Sequence, residues 1–337
     1  MSESEELSFS GDFSSIASLI RERRTRALQA VNHELVTLYW EVGKVLSAKI
    51  ETSGWGKKTI EELAAYLKQS QPGLRGFTRP NLYRMRQFYE TYPGEIVSPV
   101  VRQLPWSHNL LIMSQSKSNE ERDFYLQLTA KEGWSKRELQ RQLNGALFER
   151  IALSPVKVAP VVRELHPAAE SVFKDSYLLE FLALPDDHSE ADLHQGLLLN
   201  LKKFLTELGR DFCFIGSEHP VQVGNQDFAL DLLFFHRELN ALVAIELKVG
   251  RFEPEHLGKM NFYLEALDRD VRKAHENPSI GILLCASKDD EVVEYALSRS
   301  LSPALVAEYQ TKLPDKAMLQ AKLHEFLELS TQDHPGS

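Results

Sequence analysis

The stretch FALDLLFFHRELNALVAIELKVG, residues 228 to 250, has the pattern of two buried β-strands joined by a short polar turn, yet it carries Asp231, Glu246 and Lys248 inside its apolar runs. Side chains alternate across a strand. Val243, Ile245, Leu247 and Val249 therefore share one wholly apolar face, while Glu246 and Lys248 share the other with Ala244. In the preceding run Asp231 lies on the face of Ala229, Leu233 and Phe235, and the interval HRELNA suits a hairpin turn. If the two strands pair, Asp231 approaches Glu246 and Lys248 from the neighbouring strand.

Carboxylates held close together repel one another unless a cation lies between them. Mg²⁺ typically takes one or two protein carboxylates and leaves its other positions to water and substrate phosphate. The backbone carbonyl of Leu247 can complete the protein's share, and Lys248 would orient the attacking water or stabilise charge developing on a phosphate. The competing reading is a buried structural ion pair of Glu246 with Lys248. Three charges in adjacent strands favour the metal site.

The rest of the chain bounds this expectation. Its 337 residues, 43% of them hydrophobic, are enough for two domains. A net charge of -9 argues against coating nucleic acid by charge alone, although local basic patches are compatible with it. No apolar run approaches the ~20 residues needed to span a bilayer. The N-terminal stretch MSESEELSFSGDF is acidic and unlike a secretory signal, so a cytoplasmic location is expected. Cys213 and Cys285 sit singly in apolar runs and read as small core residues. No Walker-type phosphate loop and no nucleophile elbow occurs.

Residues 13 to 152 read as a helical domain. Its first helix, about residues 13 to 50, places Ile16, Ile20, Leu28, Val31, Leu35, Leu38 and Val42 on one face, expected opposite a basic cluster of Arg21, Arg23, Arg24 and Arg26. Further helices are expected through Ile60 to Leu67, from an N-cap at Thr78, and from Ser135 with Glu138 as a capping box. Prolines 155, 160 and 167 mark 153–172 as a linker. Beyond it, 173–330 read as helix, four strands, helix, strand, helix, strand and helix, an α/β domain with a mixed sheet flanked by helices.

The spacing D-x(14)-E-L-K across two strands, with a helix before and after, resembles the PD-(D/E)xK, restriction-endonuclease-like nuclease superfamily. The run from FCFIGSEHPVQVG to LEALDRDV and that from HENPSIGILLCAS to YQTKLPDK look more closely like the bacterial YhcG-like family. YWEVGK, GWGKKTIEELA, GFTRPNLYRMRQFYETYP and LPWSHN resemble the helical domain that accompanies the nuclease fold there. The resemblance implies that Asp231 and Glu246 bind metal and that Lys248 is the catalytic lysine. Lys259 and Tyr263, neighbours at i,i+4, stand where related nucleases carry Gln-x-x-x-Tyr. Glu190 and His194 stand nearest to an acidic residue of the first helix in the superfamily, and Leu230 replaces the proline before Asp231.

The expected activity is that of a metal-dependent endonuclease using Mg²⁺, with Mn²⁺ as substitute and DNA favoured over RNA as substrate. The alternative is a catalytically inactive nuclease-fold module that binds nucleic acid or partner proteins. Arg75, Arg79, Arg84 and Arg86, interleaved with Phe77, Tyr83, Phe88 and Tyr89, suit phosphate contact plus base stacking. The competing reading is a solvated helix face whose aromatics belong to the core. Gln222 is a strand residue that alternation could bring near the site, and His236, His256 and His275 read as surface or loop histidines. No membrane partner is expected, and the long N-terminal helix offers a route to a homo-oligomer.

Overall fold

The computed structural model describes residues 3–94 and 98–332; the first two residues of the acidic N-terminal stretch lie outside that range. The chain divides into two compact units, Met1–Gln140 and Arg141–Ser337.

The first unit is helical. Helix α1 (Glu3–Ser53) is followed by α2 (Lys57–Ser70), α3 (Arg79–Thr91), α4 (Pro99–Gln103), α5 (Trp106–Gln115) and α6 (Asn119–Glu132), with α7 starting at Lys136. Val36, Trp40 and Leu46 of α1 are buried with Ile60 of α2 and Leu82, Met85 and Phe88 of α3. Of the apolar stripe expected to face the core, Ile16, Ile20, Leu28, Val31, Leu35 and Leu38 are exposed, while Val42 is half-buried and packs against the core. Val36, Trp40 and Gly43, on the side away from the stripe, face the core, and near the C-terminal end Leu46 does too although it shares the stripe's direction; small and polar residues such as Gly43 and Ser47 hid this face in the sequence. At about 100° per residue Arg24 falls within the outward stripe, so the basic cluster does not lie opposite it. Gly43 matters here because a Cβ at that position would sit 2.0 Å from the Met85 carbonyl oxygen. Only a hydrogen lets α1 and α3 approach this closely.

The second unit is built on one sheet of six strands in the order β1-β6-β5-β4-β3-β2. The strands are β1 (Ser176–Leu178), β2 (Phe212–Val223), β3 (Gln226–His236), β4 (Ala241–Arg251), β5 (Asn277–Ser287) and β6 (Ala304–Gln310). The strands β1, β6, β5 and β4 run parallel to one another, while β3 pairs antiparallel with β4 and β2 with β3, which makes the sheet mixed. The expected strands DFCFIG and HPVQVG are one strand, β2, with an irregularity between Phe214 and Gly216. The expected single helix over 190 to 208 breaks at Asn200 into α11 (Glu190–Leu199) and α12 (Leu201–Leu208).

The stretch 153–172, expected as a linker, is folded. It carries two short helices, α9 (Pro160–Leu165) and α10 (Ala169–Val172), which follow α8 (Leu147–Leu153). Val158, Ala159, Val162 and Ala169 belong to the core of this unit, and Val158 bridges to Leu305. Pro160 opens α9, and Pro155 and Pro167 lie in the turns around these short helices, so the prolines mark helix boundaries rather than an extended spacer. The helix α13 (His256–Ala266) covers β5, where Met260 occupies the space above Gly281. The helices α14 (Asp290–Leu297) and α15 (Lys316–Gln332) complete the unit. Cys285 is buried as expected, but Cys213 is exposed on the outermost strand, β2. His236 is buried, its Nδ1 accepting from the Leu239 amide at 3.1 Å, and so is a core residue rather than a surface histidine.

One buried carboxylate joins α12 to β1. Glu207 accepts from Arg141 at 2.8 Å, Gln142 at 3.0 Å, Lys174 at 3.2 Å and the Leu178 amide at 3.1 Å. Burial opposes its charge, but Lys174, Arg141 and Arg150 outweigh burial and bring its pKa from 4.5 down to about 2. A depressed folded pKa contributes stability above the unfolded value and loses it on acidification. Stability should therefore fall between pH 4.5 and about 2, and Glu207→Gln should flatten that limb of a denaturation-versus-pH profile. Gly43→Ala should destabilise the helical unit by about 1–3 kcal/mol through overpacking, read as a lower denaturation midpoint. An unchanged midpoint would mean that α1 and α3 do not make this close approach.

Candidate active site

The charged cluster is assembled by the β3–β4 hairpin. Leu232 pairs with Ile245 and Leu233 with Ala244, so the same register carried one residue further sets Asp231 opposite Glu246. Residues directly opposite in an antiparallel pair share a face, as the alternation of the two strands requires. Every residue of β4 from Ala241 to Leu247 is buried, Glu246 included at 1% exposure.

The hydrogen bonds around the pair are specific. One Asp231 oxygen accepts from the Leu247 amide at 2.8 Å. Glu246 Oε1 accepts from Lys259 Nζ at 2.5 Å and lies 3.5 Å from Lys248 Nζ. Glu246 Oε2 is buried with no hydrogen-bond partner. Burial, followed by the charge of Asp231, pushes the Glu246 carboxyl above its ordinary range, while Lys259 and Lys248 pull it down. Burial would lower the Lys259 pKa, but its contact with Glu246 raises it to about 12 and keeps it an ammonium. Lys248 Nζ also donates to the Leu247 carbonyl at 2.7 Å and to both oxygens of Glu190, at 3.2 and 3.3 Å.

Two helices bring in the remaining groups. A capping box holds the start of α11: Ser189 Oγ accepts from the Asp192 amide at 3.1 Å and Asp192 accepts from the Ser189 amide at 2.9 Å. Glu190 and His194, one turn apart on α11, both reach the hairpin, the first at Lys248 and the second through a 3.2 Å contact of Nε2 with the Asp231 carbonyl. On α13, Lys259 lies 5.4 Å above the Tyr263 ring, and the Tyr263 hydroxyl donates to the Ala229 carbonyl at 2.8 Å. Burial, then the nearby Glu246 charge, raises the Tyr263 pKa.

The structure thus gathers Asp231, Glu246, Leu247, Lys248, Lys259, Tyr263, Glu190 and His194 into one group. Gln222 does not join them: it is exposed and pairs with Asp227, four residues or about 13 Å along β3 from Asp231. What sequence spacing could not reveal is that Lys259 lies directly on Glu246; only its i,i+4 relation to Tyr263 signalled a shared direction. No group of three or more His, Cys, Asp or Glu side chains suited to a metal occurs among the described residues. The donor set here is two carboxylates and a backbone carbonyl, with one carboxylate oxygen buried and unpartnered, and these hard oxygens fit a Mg²⁺-type ion that keeps several waters.

In the helical unit, Arg79 pairs with Glu61 at 2.5 Å and Arg86 with Glu90 at 2.6 Å, whereas Arg75 and Arg84 are exposed. Three of the aromatics in this stretch pack against rings of the same unit. Phe88 lies against Trp106, Tyr89 against Trp40 and Phe77 against Tyr39. These ring contacts favour the core reading for Phe77, Phe88 and Tyr89, whereas the Tyr83 ring lies 5.9 Å under the Arg79 guanidinium.

Comparison with known proteins agrees with this geometry. The curated protein "Putative nuclease YhcG" of Escherichia coli (strain K12) is 32% identical, covering 91% of this chain and 92% of its own. The chain belongs to the YhcG family. Residues 170–324 match the YhcG PDDEXK nuclease domain and residues 15–150 the DUF1016 N-terminal domain. A repair endonuclease from Pyrococcus abyssi shows 17% identity and a TM-score of 0.26 over 38% of this chain and 49% of its own, too slight a likeness to bear on fold or function. In this YhcG-family chain the cluster lies wholly inside the nuclease-domain match.

Lys259→Met should leave the buried Glu246 with Lys248 as its only lysine partner, and should cost about 1–3 kcal/mol after allowance for the half-exposed lysine. Adding Glu246→Gln should recover part of that loss. A double-mutant cycle by chemical denaturation reads this coupling, and strictly additive effects would show that the two side chains do not interact.

Proposed function

We propose that this chain is a divalent-metal-dependent endonuclease acting on nucleic acid, with DNA favoured, in the cytoplasm. The observation that carries the reading is the buried Glu246 opposite Asp231, with one oxygen free of any hydrogen bond and two lysines within 3.5 Å of the other. The nuclease-domain match over the same residues and the nuclease named as a relative support it. Among the described residues no helix is long and apolar enough to cross a membrane.

Asp231, Glu246 and the Leu247 carbonyl would hold Mg²⁺, or Mn²⁺ in its place. That ion supplies Lewis-acid polarisation of a phosphate oxygen and a more acidic water. The chain's own groups do the rest. Lys248, tethered by Glu190, presents N–H donors where charge develops on the phosphate, and a preorganised donor of this kind is worth far more than one recruited from solvent. Lys259, fixed between Glu246 and the Tyr263 ring, contacts a phosphate oxygen beside the scissile one. Tyr263 and His194 are positioning residues: each anchors on a β3 backbone carbonyl and so holds the strand that carries Asp231. Arg75, Arg79, Arg84 and Arg86 supply phosphate contacts for the flanking nucleic acid.

The test is a panel of single-stranded, duplex and branched DNA and RNA substrates with Mg²⁺ or Mn²⁺. Lys248→Ala should lower cleavage by about 10²-fold or more while circular dichroism stays unchanged. Asp231→Ala should lose Mn²⁺ binding by calorimetry. Undiminished cleavage by folded Lys248→Ala protein would sink the mechanism. Nucleic-acid binding with neither cleavage nor metal uptake would identify a nuclease fold turned to binding alone.

A further inference from the structure

From the exposed stripe of α1 we infer that two copies of this chain associate through that helix, side by side and antiparallel, about a twofold axis at Arg24. Ile16, Ile20, Leu28, Val31, Leu35 and Leu38 are between 40 and 69% exposed. At about 100° per residue they fall within an arc of roughly 120°, a single stripe along the helix. Val36, Trp40 and Gly43 lie on the opposite side and face the core of their own unit. The helix is thus apolar on two faces, and its own chain covers only one.

Every described side chain from 13 to 31 is exposed, so this stretch draws no burial from the rest of its unit. Helices in water owe most of their stability to packing of an apolar face, which leaves this segment in need of a partner. The stripe itself indicates which partner. Ile20 and Leu28 lie four residues on either side of Arg24, and Ile16 and Val31 lie eight and seven residues away. Reversed, the pattern nearly reproduces itself. This self-complementarity is what an isologous twofold contact requires, because each residue meets its counterpart's partner.

Antiparallel pairing about Arg24 sets Ile20 of one copy against Leu28 of the other. Glu22 and Arg26, two residues on either side of Arg24, lie on the side of the helix away from the stripe and pair with each other along their own helix, 2.5 Å apart, so they do not oppose the contact. At roughly 100 Å² each, the six side chains alone offer about 600 Å² per copy, close to the roughly 800 Å² per partner of a standard stable interface. A lipid surface is disfavoured by the arginine in the middle of the apolar stripe, and a nucleic acid would leave the stripe uncovered. Arg24 meets its own copy at the axis, a polar position inside an apolar seam, and such a position costs stability while setting register.

Light scattering of the full-length chain at tens of micromolar should give twice the chain mass. Leu28→Glu with Val31→Glu should give the monomer mass with the near-ultraviolet tryptophan signal of the core retained, and Arg24→Leu should tighten the dimer about tenfold or more. In a Cys213→Ser background, mixed Ile20→Cys and Leu28→Cys chains should form a disulfide with each other, whereas Ile20→Cys alone should not. A wild-type monomer, including one that assembles only on anionic vesicles or on DNA, overturns the inference, as does a dimer that survives the double glutamate substitution. Ready self-crosslinking of Ile20→Cys would overturn the antiparallel pairing.

Discussion

A carboxylate in the middle of a sheet sets the terms for the nuclease-like unit. Glu246 stands in a strand whose residues from Ala241 to Leu247 are all buried, and an ionised carboxylate without partners there would cost several kcal/mol. The surrounding elements are arranged to offset that cost. The helix α13 delivers Lys259 to Glu246, and Met260 beside it settles over Gly281, where a side chain would have held the helix away. The helix α11, fixed by its capping box, delivers Glu190 to Lys248. The same features that make the charge tolerable place three carboxylates, two ammonium groups and a phenol within one group of contacts.

The compensation is incomplete in an informative way. Glu246 Oε2 remains buried without a hydrogen bond, and Asp231 keeps only one of its oxygens on a backbone amide. A charge network serving stability alone is better satisfied, as Glu207 illustrates: fully buried, it takes bonds from three side chains and one amide, and its pKa falls to about 2. At Glu246 burial and the facing Asp231 act the other way and raise the carboxyl. The contrast between these two buried glutamates of one domain separates a structural carboxylate from one with spare capacity for a cation.

The nuclease-like half was legible because β-alternation is a strict rule. With period 2, the face shared by Glu246 and Lys248 follows from their numbers, and the hairpin adds Asp231 as soon as the strands pair. The helical half was less legible. The 3.6-residue period located α1, but a helix with two apolar faces has no single inward stripe, and the stronger one proved to face outward. Likewise Phe88, at the end of the basic and aromatic stretch, went to the core, because a helix turned to bury Leu82 and Met85 carries it inward with them. The stretch 153–172 looked like a spacer because its short helices are too brief to show periodicity.

By itself the sequence determined that Asp231, Glu246 and Lys248 share one face of a hairpin, that helices flank it, and that a helical region precedes it, since these follow from residue spacing and local chemistry. Tertiary structure alone decided that Lys259 closes on Glu246, that Gln222 stays about 13 Å along β3 from Asp231, and which face of α1 is covered. Those outcomes depend on how helices dock on a sheet and on one another. Such docking is governed by close approaches, at Gly281 and Gly43 for example, that leave no periodic trace in the chain.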